Sequence, residues 1–392
     1  MLDKKINYLI GRKISHSQNL IFNDLAINFL SDVSNELRKN KIVLQSPDLF
    51  FLMIWSMKKN LISHYEKYKK SAFRIGQGIV FHICPSNVPL NFFYSFSFGL
   101  LAGNSNIVKL PSKSYVETNI LINVIKKIIN QKKYIKIKKT NIFVKYEKNK
   151  SINDFFTNKC DVRIIWGGDK TINEVRESSL NVKSYELTFP DRYSLAIINI
   201  KKLKEINTNE FKKIVKGFFY DSFTMKQQAC NSPHFVFWLG KKDPKIIEKF
   251  WSTLAEIAKK QSNFSLIDLV DKYNHICNQF LTIENLENFK NYNNFVYVAD
   301  YKKNYIDDIR GLNGIFYQKY INNLTSLNKS ITTKCQTITY FGIHKENFKK
   351  FIINKKTAGI DRVIPIGKSM DTNFIWDGFD MIKSLSKIVD IQ

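Results

Sequence analysis

Cys230 stands in the stretch Gln227–Pro233 (QQACNSP), behind a helical segment and among small residues that crowd it little. A thiolate there can accept an acyl group, and the residues after it can offer a backbone N–H to the resulting oxyanion. Asn87 lies in Cys84–Leu90 (CPSNVPL), a loop stiffened by a proline on either side. A side-chain amide held that way can donate to a developing oxyanion. Lys109 closes the run Asn106–Leu110 (NIVKL) just before Pro111 and Ser112, where a cation suits a ribose or its phosphate. Gly167 and Gly168 separate a strand-like from a helix-like segment in Asp161–Thr171 (DVRIIWGGDKT), a layout that lets backbone N–H groups approach a pyrophosphate. The full GxGxxG fingerprint is missing. Each residue alone has a plainer reading: a buried thiol, a turn asparagine, a solvated lysine, a tight turn. Gln228-Ala229-Cys230 opens like the caspase signature, but Asn231 and Ser232 follow where glycine is required.

These residues need elements to position them. Residues 18–70 carry helical apolar spacing. From residue 78 the pattern changes to strand (Gly78–Cys84), loop (Pro85–Pro89), helix (Leu90–Ala102), strand (Asn106–Leu110) and amphipathic helix (Val116–Gln131). Strands follow over Asn141–Tyr146 and Asp161–Trp166, with a helix over Lys170–Ser178. Such alternation predicts parallel βαβ units and a doubly wound sheet. A second α/β set begins near residue 195: strand Leu195–Ile200, helix Glu210–Tyr220, strand His234–Leu239, helix Pro244–Lys260. No internal repeat and no Pro-, Gly- or Ser-rich linker interrupts the chain.

Composition narrows the function classes. The chain has 392 residues, enough for two or three domains. Its 61 basic and 34 acidic residues give a formal charge of +27. The charge is spread along the sequence rather than gathered in one arm, and Lys, Ile and Asn are abundant together. That pattern fits coding bias better than a nucleic-acid-binding surface, so no nucleic-acid partner is expected. The five cysteines (Cys84, Cys160, Cys230, Cys277, Cys335) form no CxxC pair, so no metal is expected, and their odd count argues against a disulfide framework. Ile75–Val108 has no charged residue, but its prolines, asparagines, serines and glycines break any single membrane helix. A buried strand–loop–helix accounts for it better. The first residues lack the pattern of a secretory leader. Together these features predict a cytoplasmic protein without a membrane span.

The order of the motifs is more specific than any one of them. His82–Leu90 (HICPSNVPL), Leu101–Ser112 (LAGNSNIVKLPS), Asp191–Ser194 (DRYS), Gln228–Pro233 (QACNSP), Gly359–Lys368 (GIDRVIPIGK) and Trp376–Gly378 (WDG) resemble the aldehyde dehydrogenase superfamily. Within it they look most like the acyl-CoA reductase family that includes the fatty-acyl reductase of bacterial bioluminescence. The resemblance runs from about residue 75 to 385. It implies an α/β, aldehyde-dehydrogenase-like fold with a doubly wound cofactor-binding domain facing a second α/β catalytic domain. It implies domains at 1–194 (N-terminal helices and cofactor domain), 195–348 (catalytic, carrying Cys230) and 349–392 (a segment packing back on the cofactor domain or on a dimer interface).

The resemblance also implies roles. Cys230 would be the nucleophile, and Asn87 with the Cys230 backbone N–H would form the oxyanion hole. Glu186 matches the family's Glu-Leu position, where the carboxylate acts as a base. Lys109 would reach the adenosine ribose or its 2′-phosphate, with Ser86, Pro111 and Ser112 nearby. Gly167 and Gly168 would lie at the pyrophosphate. The cofactor expected is NADPH, the reaction NADPH-dependent reduction of a long-chain acyl thioester to the aldehyde. The donor would be acyl-CoA or an acyl-protein, with an acyl-activating synthetase as partner and a homo-oligomeric state. The runner-up is a CoA-independent aldehyde dehydrogenase oxidising an aldehyde with NAD(P). Two departures stand out. The usual Glu-Leu-Gly-Gly reads Glu186-Leu187-Thr188-Phe189, and Gln336–Gly342 (QTITYFG) replaces Glu-x-Phe-Gly-Pro.

Overall fold

Between Ile75 and Val108 the absence of charge finds its reason in the burial of two strands and the helix between them. The computed structural model describes residues 2–70, 72–262, 264–355 and 359–392. In it the strand Ile79–Ile83 has all five residues buried, as a parallel strand covered on both faces must. The helix after it, Asn91–Leu101, buries every residue but Tyr94. A helix apolar all round belongs inside a core.

The chain divides into two compact units, residues 1–191 with Asn373–Gln392, and Arg192–Thr372. The expected segment 349–392 is therefore split: its first part stays with the second unit, and only Asn373–Gln392 joins the first.

The first unit opens with strand β1 (Asn7–Ile10) and helices α1 (Asp24–Arg38), α2 (Lys41–Gln45), α3 (Pro47–Trp55) and α4 (Lys58–Tyr65). Then come β2 (Arg74–Gly76), β3 (Ile79–Ile83), α5 (Asn91–Leu101), β4 (Ser105–Lys109), α6 (Val116–Ile129), α7 (Ile135–Thr140), β5 (Asn141–Lys145), α8 (Lys150–Thr157), β6 (Val162–Trp166), α9 (Asp169–Arg176) and β7 (Tyr185–Phe189). Among the described residues these form a sheet of order β1-β5-β4-β3-β6-β7, parallel except for β1. Strand order reverses between β3 and β6, since β4 and β5 build outward on one side and β6 on the other. Such a switch leaves a crevice at the carboxyl ends of the strands.

The second unit contains β8 (Tyr193–Asn199), α10 (Ile200–Glu205), α11 (Thr208–Phe223), β9 (Pro233–Leu239), α12 (Pro244–Gln261), α13 (Leu266–Thr282), β10 (Leu286–Tyr292), β11 (Val296–Tyr301), β12 (Ile315–Ile321), β13 (Cys335–Phe341), α14 (Lys345–Lys355) and β14 (Arg362–Pro365). Its sheet runs β10-β11-β12-β9-β8-β13-β14, with only β10 antiparallel. Helix starts are fixed locally. Asn207 and Glu210 make a capping box before α11, and Asp243 accepts from two backbone N–H groups of α12.

The last twenty residues return to the first unit as the hairpin β15 (Ile375–Trp376) and β16 (Phe379–Asp380), the short helix α15 (Met381–Ser384) and β17 (Ser386–Ile388). β17 pairs with β2, and Arg74 reinforces that pairing by donating to the Ser386 hydroxyl at 2.8 Å and carbonyl at 2.7 Å. Among the described residues no helix is long and apolar enough to cross a membrane.

Candidate active site

In the second unit, Cys230 sits half-buried in the turn between α11 and β9, at the amino end of β9. The Ser232 N–H closes that turn on the Ala229 carbonyl at 2.9 Å. The carbonyl of Cys230 accepts from the Ser194 hydroxyl at 2.5 Å, and the Ser194 oxygen accepts from the Thr337 N–H at 3.2 Å. Asn231 donates its side-chain amide to the Ser369 carbonyl at 2.7 Å. The Cys230 turn is thus held from β8, β13 and the segment after β14.

The chain reaches this turn through strained backbone. Lys226 and Gln227 both have positive φ, at 51° and 59°. Tertiary contacts must hold such residues there, and for Gln227 they are visible. Its buried carboxamide oxygen accepts from the Gly314 N–H at 2.7 Å and the Ile315 N–H at 3.1 Å, while its nitrogen donates to the Ile315 carbonyl at 2.9 Å. Lys226 pairs with Asp268 at 2.7 Å. The motif points to Gln228, yet Gln228 is exposed and Gln227 does the anchoring. The doubled glutamine is the only hint of it in the sequence.

The motifs around Cys230 hold one another. Arg192 of DRYS pairs with Asp361 of GIDRVIPIGK at 2.6 Å, and Ser194 of the same stretch holds Cys230.

In the first unit, three expected positions share the carboxyl edge of the sheet. The loop Pro85–Pro89 follows β3 and carries exposed Ser86 and Asn87. Its carbonyls are tied down from the segment that opens α6: Tyr115 donates to Ser86 O at 2.6 Å and Thr118 to Pro89 O at 3.2 Å. Neither anchor is marked in the sequence. Lys109 ends the neighbouring strand β4, its ammonium 4.9 Å from the centre of the Tyr146 ring. Burial pulls its pKa down, opposed by nearby Cys84 and Glu147. Pro111 is buried and Ser112 exposed just beyond. Gly167 and Gly168 follow β6 on the other side of β3. Gly168 is the N-cap of α9 and offers no side-chain cap, and a Cβ placed on it would meet nothing within 4 Å. The first N–H groups of α9 therefore stand open to an anion. Trp166, just before these glycines, stacks on Phe189 at 3.8 Å and meets Trp376 of the WDG motif edge-on at 5.2 Å. That packing fixes the Gly-Gly turn.

Beneath the edge runs a buried polar chain. The His82 ring lies 2.7 Å from the Ser95 hydroxyl and 2.9 Å from the Asn106 carboxamide oxygen. Asn106 spends its amide nitrogen on Asn141 and on the Asn104 carbonyl, so its oxygen must accept from His82. Burial favours the neutral ring, whose other nitrogen then accepts from Ser95, and the Ser95 oxygen takes the Trp166 indole N–H at 2.9 Å. Burial lowers the His82 pKa to about 4.

Glu186 is elsewhere. It is the cross-strand partner of Arg163, three residues back from the carboxyl end of β7 and so about 10 Å from that edge. Its Oε2 accepts from Arg163 Nε at 2.9 Å and Nη2 at 2.6 Å, and its Oε1 from Arg176 Nε at 2.8 Å. Gln336–Gly342, the departed cofactor motif, forms β13 and the turn after it. Among the described residues no three His, Cys, Asp or Glu side chains gather as metal ligands.

A profile of the acyl-CoA reductase (LuxC) family matches residues 55–388. The chain belongs to the LuxC acyl-CoA reductase family. A stretch of 191 residues in this LuxC-family chain is 27% identical to the long-chain acyl-protein thioester reductase of Aliivibrio fischeri, spanning 48% of the chain and 38% of that relative's length. The LuxC-family chain is also similar in structure to aldehyde dehydrogenases. It matches an NAD-dependent benzaldehyde dehydrogenase from Corynebacterium glutamicum with a TM-score of 0.63 at 11% identity, over 96% of this chain and 95% of the other. For aldehyde dehydrogenase 21 from Physcomitrella patens the TM-score is 0.62 at 10% identity, over 93% and 84%. The fold is therefore aldehyde-dehydrogenase-like.

Proposed function

We propose that this LuxC-family chain reduces a long-chain fatty acyl thioester, acyl-CoA, to the aldehyde, with NADPH as reductant and Cys230 as acyl carrier. The observation that carries the reading is the Cys230 turn. A half-buried thiol at a strand's amino end, its backbone held by Ser194 and Asn231, suits a nucleophile better than a core cysteine. In this reading the Cys230 thiolate forms a C–S bond with the acyl carbon and coenzyme A leaves as its thiolate, which takes up a proton. The Cys230 N–H donates to the oxyanion, a role that the family resemblance gives to Asn87 as well. Bound NADPH supplies the hydride that takes the acyl group to the aldehyde level. Breaking the Cys230 C–S bond frees the aldehyde and restores the thiolate.

The residues of the first unit fit such a cofactor: the open α9 N-terminus at Gly167–Gly168 for the pyrophosphate, and Lys109 with Ser86, Pro111 and Ser112 for the adenosine ribose and its 2′-phosphate. The same reading takes an acyl-activating synthetase as partner, a homo-oligomer as the working state and the cytoplasm as the setting.

Oxidation of an aldehyde to the acid needs a base to activate water on the acyl-enzyme. Glu186 is the residue the motif offers, and two arginines occupy both its oxygens. We therefore assign Glu186 to structure and favour the reductase, which needs no such base.

The test is acylation with radiolabelled tetradecanoyl-CoA, followed by aldehyde formation with NADPH. Wild type should take label at Cys230 and Cys230→Ala should do neither. Label or aldehyde from Cys230→Ala overturns the assignment. Equal rates with NADH and NADPH would remove the case for the 2′-phosphate.

A further inference from the structure

The motif Gly359–Lys368 has so far no part in the chemistry. Its end runs on into the segment Ile366–Asp371 after β14, which lies against α11. Gly217 of α11 makes this approach possible: a Cβ there would stand 3.1 Å from the Gly367 Cα, and Gly367 itself has φ +87°. One helical turn on, Asp221 is 1% exposed. Its Oδ2 accepts the Gly367 N–H at 2.7 Å and its Oδ1 the Ser369 N–H at 2.9 Å. The Ser369 carbonyl then accepts from Asn231 Nδ2 at 2.7 Å and from Arg362 Nη1 at 2.8 Å. Asn231 is covalently next to Cys230 inside its turn. Asp221 is thus joined to the nucleophile's turn through one loop residue and one side chain.

A carboxylate is a costly way to hold a loop. Burial pushes Asp221 up to about 6, while the two backbone N–H groups and Arg362 pull it back. A neutral amide would avoid that cost but would offer one acceptor oxygen where the loop presents two donors. Charge-assisted bonds to both N–H groups fix the loop more tightly than neutral ones.

We propose that Asp221 is a positioning residue for Cys230, acting through the Gly367–Ser369 loop and the Asn231 side chain. The proposal rests on the reading of Cys230 as the nucleophile. Under it the loop at the end of the GIDRVIPIGK motif presents the carbonyl of the next residue, Ser369, as the stop against which the Cys230 turn is set.

The experiment uses the full chain and the variants Asp221→Asn, Asn231→Ala and the pair combined. Two rates are read at Cys230 by peptide mass spectrometry: acylation by tetradecanoyl-CoA and alkylation by iodoacetamide. A displaced reacting atom costs up to about a hundredfold in rate. Each single variant should therefore acylate about ten- to a hundredfold more slowly with an unchanged half-saturating acyl-CoA concentration. It should also show a shifted pH dependence of alkylation. The combined variant should be no slower than the worse single one, because the two residues act in series. Folded Asp221→Asn that acylates at the wild-type rate overturns the proposal, as does a combined variant that loses the product of both effects. If Asp221→Asn fails to fold, Asn231→Ala decides alone, since Arg362 still holds the Ser369 carbonyl; a wild-type rate there overturns it. Acylation of wild type at a residue other than Cys230 overturns the nucleophile reading instead, and iodoacetamide reactivity of Cys230 still reports whether Asp221 positions its turn.

Discussion

Glu186 and Arg163 face each other across neighbouring parallel strands, joined by two hydrogen bonds of 2.9 and 2.6 Å. The pair is almost dry, with the arginine side chain 3% and the glutamate 12% exposed. Arg163 also donates to the Ser178 carbonyl at 2.6 Å, so it ties β6 to the end of the following helix. Removing one partner of a buried pair leaves the other charge uncompensated, which costs about 3–5 kcal/mol. Glu186→Gln should lower the unfolding free energy read from urea titration by a comparable amount while acylation of Cys230 per folded molecule stays near wild type. Lost catalysis at unchanged stability would return Glu186 to the role of base.

Gln227→Ala should destabilise the chain by roughly 1–3 kcal/mol, because it takes the acceptor from the Gly314 N–H and leaves the Ile315 N–H only the Leu312 carbonyl. Gln228→Ala, at an exposed position, should change stability by less than about 0.5 kcal/mol. Chemical denaturation of the two variants side by side checks the contrast. Equal effects would show that Gln227 is not the anchor.

Gly217 lies in the middle of α11, where alanine ordinarily gains about 1 kcal/mol of helix propensity. Here the backbone of Gly367 stands in the way. Gly217→Val should therefore destabilise by about 1–3 kcal/mol through overpacking, and slow iodoacetamide alkylation of Cys230 as the Ile366–Asp371 segment is pushed off the helix. A valine variant as stable and as reactive as wild type would show that the segment yields freely.

Acid should weaken the fold. Burial lowers His82 to about 4 and His234 to about 3. An unfolded histidine titrates near 6.5. Below that value the unfolded chain binds protons the folded chain refuses, so stability falls as pH drops from about 6.5 toward 4, by roughly 1–3 kcal/mol per histidine. Asp221, raised to about 6, works the other way. Between about 4 and 6 the folded chain keeps a proton that the unfolded carboxylate has released. Urea unfolding at pH 7.5, 6 and 5 should show a flatter acid loss for His82→Asn and a steeper one for Asp221→Asn. A His82→Asn slope equal to wild type would mean His82 already carries its proton in the folded state.

Much of the first unit is legible in the sequence because its signals are local. The charge-free run to Val108, the Pro-bracketed loop and the Gly-Gly turn each mark a strand end within a few residues. Three strand ends in sequence order are enough to place Asn87, Lys109 and Gly168 on one sheet edge. What stays hidden depends on partners far along the chain. Asn7–Ile10 is too short to show alternation and becomes a strand only by pairing with β5. Glu186 carries a family motif, yet its surroundings are set by Arg163 and Arg176, whose approach no spacing announces. Gln227, Ser194 and Ser369 hold the Cys230 turn through bonds between distant parts of the chain, and although motifs mark the stretches in or beside which they lie, no spacing announces those bonds.

The closing strand of the first unit is made last. β2 meets β17 only after the whole of the second unit has been synthesised between them, and Met381, Ile382 and Leu385, all fully buried, arrive with it. At about 5–20 residues per second, a gap of roughly 300 residues keeps that strip of apolar surface bare for about 15–60 s on the ribosome. For that interval the surface is open to apolar contacts with other chains, so this late-closing strip is where the nascent chain is most exposed to aggregation.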